Sequence, residues 1–464
     1  MRPSPRVSAS ILAFALLGLS GAAGLLAPSA ASGRVWRVDA SGDASEDGRG
    51  GGGSDSGGLL QAAIDQAAPG DVVEVGPGEH IGRFLVDRAI VLRGAGGALD
   101  GGGRGRVLTL AAPGIRVEGL TIHASGSDIG HPDACLYLEP EASGAIVRDN
   151  DLYDCAFGIW VHETGGAQLI GNRIRGRPEV RTTDRGNGIQ LHDASKLVVR
   201  ANEISGARDG IYVAATEDSL IERNVMHDLR FGVHYMYSYR NRIRDNESRH
   251  NKIGFALMGS LHLVVTGNRA FDNVRNGLLF RDIQYCRIEG NHLERNGTGL
   301  FFYSSTDNEI LSNEVVDNEL GIKVWAGSRR NRVEGNLIRA NRRQVFYVGA
   351  EDQIWGESGR GNHWSDYLGW DQDGDGIGDR PYRLNSLEAN LLQSHPSVSL
   401  LLRSPALEIL SRMAARMPIL HTPTIVDVAP LLDPAERVHE PDSSRAKGRQ
   451  DARLAGSPTT DTAR

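Results

Sequence analysis

Histidine and methionine side chains recur along this chain at a spacing that would bring them to one place. A column of positions reads Glu139, His162, His192, Ala214, Met236, Met258, Arg281, Tyr303 and Trp325, with every step but one equal to 22 or 23 residues. His234 precedes Met236 by two residues, and Met226 and His227 fall where a turn into that segment is expected. Imidazole together with thioether is a donor set for copper, above all Cu(I), because soft sulfur ligands select a soft ion. The expected ligands are His234, Met236 and Met258, with His162 and His192 as a second station beyond the gap at Ala214. Half of the six methionines fall on this one stretch, which sets it apart from histidines scattered over a surface.

A second set of donors lies near the C-terminus. Asp371, Asp373, Asp375 and Asp379 occupy the first, third, fifth and ninth positions of a segment with Gly376 at the sixth, which is the layout of an EF-hand calcium loop. The twelfth position is Tyr382 where such a loop carries a bidentate glutamate. Calcium is therefore expected to complete its shell with water, the Ile377 carbonyl or a group from elsewhere.

What would hold the histidine and methionine column in place is a repeat. Asn150, Asn172, Asn202, Asn224, Asn246, Asn268, Asn291, Asn313 and Asn336 each follow a short apolar run, at steps of 22 or 23 residues with a single step of 30. A second ladder, Gly158, Gly188, Gly210, Gly232, Gly254, Gly277, Gly299 and Gly321, keeps the same register. A fixed period of this length marks a solenoid in which each repeat buries its apolar face only against its neighbours. The expected fold is all-β: a right-handed parallel β-helix over residues 59–350, of about a dozen coils and roughly 60 Å at the spacing between strands. Asparagine suits its turns because it tolerates left-handed backbone and can pass side-chain amide hydrogen bonds up the stack, and glycine because it supplies conformations that other residues resist. Within the strand after each glycine the first and third residues should point inward, as in Ile159 and Val161 or Phe255 and Leu257, and the second and fourth outward. The column above is the outward fourth position, so neighbouring members should stand about 5 Å apart. The long step holds an insertion between Arg173 and Gly186 carrying five arginines, and solenoid insertions loop out on one face.

Flanking segments bound the compartment and the partners. Arg2 and Arg6, an apolar run from Ile11 to Leu26 and small residues near 29–32 have the layout of a secretory signal peptide, residues 1–31, cleaved to leave a protein outside the cytoplasm. Losing those two arginines moves the formal charge from −7 to about −9, which excludes a phosphate-binding surface and nucleic acid as a partner. Residues 32–58, rich in glycine and serine, read as a flexible lead-in, and Leu59 to Ala68 as a short helix capping the stack. Cys135, Cys155 and Cys286 are too few and too unevenly spaced for a disulfide framework and read as buried thiols, although the compartment would permit one bridge. Residues 351–433 form a C-terminal cap with the acidic loop and an amphipathic segment in which Leu402, Ala406, Leu407, Leu410 and Met413 follow helical spacing. Residues 434–464 are charged and poor in apolar residues, the composition of a disordered tail.

The coil repeat, the block Gly361-Asn362-His363-Trp364-Ser365-Asp366-Tyr367 running into the acidic loop, and the end segment from Ser404-Pro405-Ala406 to Pro430-Leu431-Leu432 together resemble the NosD family. The resemblance covers nearly the whole chain to about Asp433. It implies a periplasmic accessory protein, not an enzyme, that helps deliver copper or sulfur to the copper-sulfide centre of nitrous oxide reductase. The partners it implies are an ABC transporter permease in the inner membrane, the reductase itself and a copper chaperone. The rival reading is a carbohydrate-binding or carbohydrate-active β-helix of the lyase or epimerase type. A glycosidase needs two facing carboxylates, and the outward acids Asp193, Glu217 and Asp282 form no such pair in the repeat register.

Overall fold

The structure is a computed structural model, and it describes residues 33–40, 44–45, 56–325, 327–349, 351–385, 404–414 and 424–433. The expected signal peptide and the expected disordered tail lie outside these residues. The described residues between Val35 and Trp364 form a right-handed parallel β-helix of about 13 turns. Each turn gives one short strand to each of three long sheets, of 14, 13 and 12 strands, and the sheets are parallel apart from one edge pair in the first.

The third sheet carries the inward ladder read from the glycines. Ile159, Ile189, Ile211, Val233, Phe255, Leu278, Leu300 and Ile322 pair in unbroken register, and none is more than 1% exposed. The glycines before them have ordinary negative φ. Their role is spatial: a β-carbon on Gly254 would stand 2.6 Å from the Gly277 carbonyl oxygen of the next coil. The asparagines likewise do not take the left-handed conformation; the residue before each does, for example Arg223 (φ 54°) and Asp245 (φ 56°). What the position demands is the side-chain amide. Asn224 donates from Nδ2 to Asn246 Oδ1 at 2.9 Å, and Asn246 to Asn268 at 2.9 Å, so each amide saturates the turn below it inside the core.

Both ends are closed. The helix Ser56–Gln66 buries Leu60 and Ile64 against the N-terminal core. Val35–Val38, inside the stretch read as a flexible lead-in, is a strand paired with Val72–Val75. At the other end Gln353–Trp355, Tyr382–Asn385 and Thr424–Asp427 form a three-stranded sheet. Beneath it Trp355, Trp364 and Tyr382 stack, with ring centroids 6.0 and 4.4 Å apart.

Of the three cysteines read as buried thiols, two instead make the one bridge the compartment permits. Cys135 and Cys155 form a disulfide, their Cα atoms 5.6 Å apart. They are 20 residues apart, close to one coil, so the solenoid itself stacks them in neighbouring turns. Cys286 is a buried free thiol, pushed up to about 11 by burial.

Candidate metal-binding face

The outward column forms as the register requires. His162 pairs with His192, His192 with Ala214, Ala214 with Met236, Met236 with Met258 and Met258 with Arg281, each one coil from the next in the third sheet. The His162 and His192 rings lie nearly parallel with centroids 5.9 Å apart, and His162 Nε2 is 3.2 Å from a Glu163 carboxylate oxygen. Met236 and Met258 are both half-buried on this face. Ala214 separates the two histidines from the two methionines.

His234 lies on the same outward side but is 9% exposed. Its Nδ1 is 2.9 Å from Asp209 Oδ2, and Arg230 holds the same carboxylate at 2.6 and 2.8 Å. Burial would raise the Asp209 carboxyl, but the hydrogen bonds from His234 and Arg230 outweigh it and hold the group below the usual carboxylate range.

Two neighbours expected beside this site are elsewhere. Met226 is not in a turn: it is the middle residue of the strand Val225–His227 in the second sheet, fully buried. It takes the inward place held by Ile174 and Ile204 in the coils before it, two residues after each ladder asparagine, and that pattern was visible in the sequence. His227 faces outward on that second sheet and bonds Asp228 at 2.7 Å. Toward the C-terminus the third sheet's outer face becomes aromatic and basic. Lys323 sits 4.6 Å from the rings of both Phe301 and Trp325, and burial lowers its ammonium below the usual lysine range.

The arginines of the insertion are satisfied locally. Arg177 alone bonds Asp154 at 2.7 Å, the Ser127 hydroxyl at 2.9 Å and the Ser125 carbonyl at 2.8 Å, while Arg175 pairs with Asp151 at 3.0 Å. Arg177 thereby pins the insertion to the stack, while Arg181 at its tip stays exposed.

In the acidic loop the chain brings Asp371, Asp373 and Asp375 together, one oxygen of each within 4.8 Å of the others. Asp371 caps the turn by accepting the amides of Gly374 and Gly376 at 2.6 and 2.9 Å, and those amide donors hold its carboxyl low. Asp373, facing Asp371 and Asp375, is raised by them. Asp379 closes the loop by accepting the Gln372 amide at 2.8 Å. Tyr382, in the twelfth place, is turned away into the aromatic stack. A further donor group, Glu79, Asp100 and His123, gathers on the second sheet. It lies in early coils that lack the asparagine and glycine ladders, so the sequence offered no register by which to find it.

The decisive comparison is with curated relatives. A "Probable ABC transporter binding protein NosD" of Pseudomonas aeruginosa is 43% identical over 370 residues, covering 76% of this chain and 86% of the relative. The chain belongs to the NosD family. A relative of the same description from Stutzerimonas stutzeri is 39% identical over 378 residues, covering 78% of this chain and 87% of its own. The family description that matches residues 170–369 is "Periplasmic copper-binding protein (NosD)", a span that holds His192, His234, Met236 and Met258. NosD relatives carry the names of binding proteins, not of enzymes. Among solved structures, a family 28 exopolygalacturonase from Yersinia enterocolitica matches with a TM-score of 0.57 and 11% identity, covering 71% of this chain and 79% of the enzyme. That likeness is one of fold alone.

Proposed function

We propose that this chain is a periplasmic accessory protein that binds copper on the outer face of its third sheet and serves assembly of the copper-sulfide centre of nitrous oxide reductase alongside an ABC transporter. The observation that carries the reading is the register pair Met236 and Met258 with His234 on the same side, within a family described as copper-binding. A rigid β face with two or three donors leaves an ion under-coordinated and open to attack by the protein that receives it, as delivery requires and a closed tetrahedral cage prevents. His162 and His192 form a second station two coils away. The Cys135–Cys155 disulfide agrees with an oxidising compartment.

The permease is proposed to dock at the C-terminal end, where the helix Pro405–Ala414 exposes Ile409, Leu410 and Met413. Of the other residues on that apolar spacing, Leu402 lies outside the described residues. Among the described residues no helix is long and apolar enough to cross a membrane itself. The acidic loop of Asp371, Asp373, Asp375 and Asp379 is proposed as a structural calcium site, since oxygen donors of this number suit a hard cation.

The test is co-purification with a tagged chain from periplasmic and membrane extracts of a denitrifying cell. Recovery of an ABC permease, nitrous oxide reductase or a copper chaperone supports the proposal. Recovery of an acidic polysaccharide instead, with unsaturated products released from pectin or alginate, would overturn it in favour of the carbohydrate reading.

A further inference from the structure

The strand that carries Met236 is tied to its neighbour by a charged group that the sheet does not need for pairing. Asp209 opens the strand Asp209–Ala214, and its side chain is entirely buried. Arg230 grips it through two hydrogen bonds, Nε to Oδ1 at 2.8 Å and Nη2 to Oδ2 at 2.6 Å. His234 reaches the same Oδ2 through Nδ1 at 2.9 Å.

The partners settle which ring nitrogen carries the hydrogen. A carboxylate held by a guanidinium only accepts, so Nδ1 must donate to it, and Arg230 stands back from Nδ1 at 3.5 Å. In the neutral ring that leaves Nε2 as the nitrogen with the lone pair. Nε2 makes no hydrogen bond among the described residues and is not wholly enclosed. The ring is fixed edge-on between Tyr212 and Phe231, with centroids 4.8 and 5.0 Å away. Its register partner in the next coil is Ala256, a side chain of one methyl group, beside the position where Met258 follows.

We infer that Asp209 is a positioning residue for copper: anchored by Arg230, it locks His234 so that Nε2 is the nitrogen presented to the ion beside Met236 and Met258. The inference rests on the copper reading of this face. A metal-binding imidazole works best when its other N–H is held by a carboxylate, which fixes the tautomer and the ring and makes the free nitrogen more basic. A His–Asp pair with the hydrogen on Nδ1, a free Nε2, one soft sulfur donor two residues along the same strand and a second on the next coil has that arrangement. An ion pair present only to staple two coils would need Asp209 and Arg230 but not the histidine.

The experiment uses the full mature chain with ¹⁵N-labelled histidine. Long-range nitrogen–proton spectra of His234, assigned with His234→Ala, should show Nδ1 protonated, and addition of Cu(I) should move the Nε2 resonance while Nδ1 keeps its hydrogen. In competition with a Cu(I) chelator, Asp209→Asn should weaken binding about 10- to 100-fold, the usual loss for a ligand's supporting carboxylate. It should cause no further loss in a His234→Ala background. A shift at Nδ1 instead, or undiminished binding by a folded Asp209→Asn chain while His234→Ala binds weakly, would overturn the positioning role and leave the copper face standing. Undiminished binding by His234→Ala would remove His234 from the copper face and the inference with it. The spectrum of the unaltered chain decides the matter even if Asp209→Asn fails to fold.

Discussion

Asn362 ends the asparagine ladder on Asp427: its backbone and side-chain amides both donate to Asp427 Oδ2, at 2.7 and 2.9 Å. Trp364 Nε1 adds a third hydrogen bond to the same oxygen at 2.9 Å. In each coil from Asn150 on, the acceptor is the asparagine of the next turn; here a carboxylate from the closing strand takes its place. The block Asn362-His363-Trp364 is thus the seat of the C-terminal cap.

Replacing Asp427 with alanine should therefore cost far more than a surface change. It strands three buried donors, each of which costs roughly 1–3 kcal/mol when unpaired. Chemical denaturation should show a loss of at least about 3 kcal/mol. A loss below about 0.5 kcal/mol, the range of ordinary surface substitutions, would mean that the cap is held by its aromatic stack alone.

Acid should act through the glutamates buried on the first sheet. Burial would raise the Glu222 carboxyl, but hydrogen bonds from Arg244, at 2.6 Å, and Arg200 hold it below the ordinary value near 4.5. A carboxyl depressed in the folded state stabilises it above the unfolded pKa and loses that contribution as pH falls through the folded one. Stability from this group should be level from pH 7 to about 5.5 and then decline below about 4.5. Glu222→Gln should flatten that decline when unfolding is followed by circular dichroism. An unchanged acid profile in the variant would assign the acid sensitivity to other groups.

The acidic loop predicts a calcium-dependent cap. A chelator should lower the melting temperature of the wild-type chain, calcium should restore it, and Asp373→Ala should abolish both responses. A wild-type transition unmoved by chelator would mean that Asp371 caps the turn through the Gly374 and Gly376 amides and the loop holds no ion.

Much of this was legible in the sequence because the solenoid repeats itself. Once Gly232 and Gly254 are aligned, the placement of Phe255 inside and Met258 outside follows from a period of two. The amide ladder of the asparagines was read correctly, whereas the left-handed backbone belongs to the residue before each one and the glycines are there for the next coil's carbonyl. Asp209 was hidden because its tie to His234 spans 25 residues and depends on the reach of Arg230, which no periodicity encodes. The Cys135–Cys155 bridge was open to inspection, since a separation near one coil stacks two residues, but a count of cysteines says nothing of stacking. Met226 was misplaced by aligning the glycines and not the asparagine two residues before it.

The measurement that bears most directly on the copper face is Cu(I) affinity, taken by competition with a chromogenic chelator for the wild-type chain and for the Met236→Ala, Met258→Ala double variant. Both residues lie on the outer face and outside the core, so the double variant should fold. The copper reading predicts that it binds Cu(I) more weakly by at least about tenfold, with Cys286 too buried to compensate. Equal affinities in the two proteins would contradict it and leave the third sheet a docking scaffold without a metal.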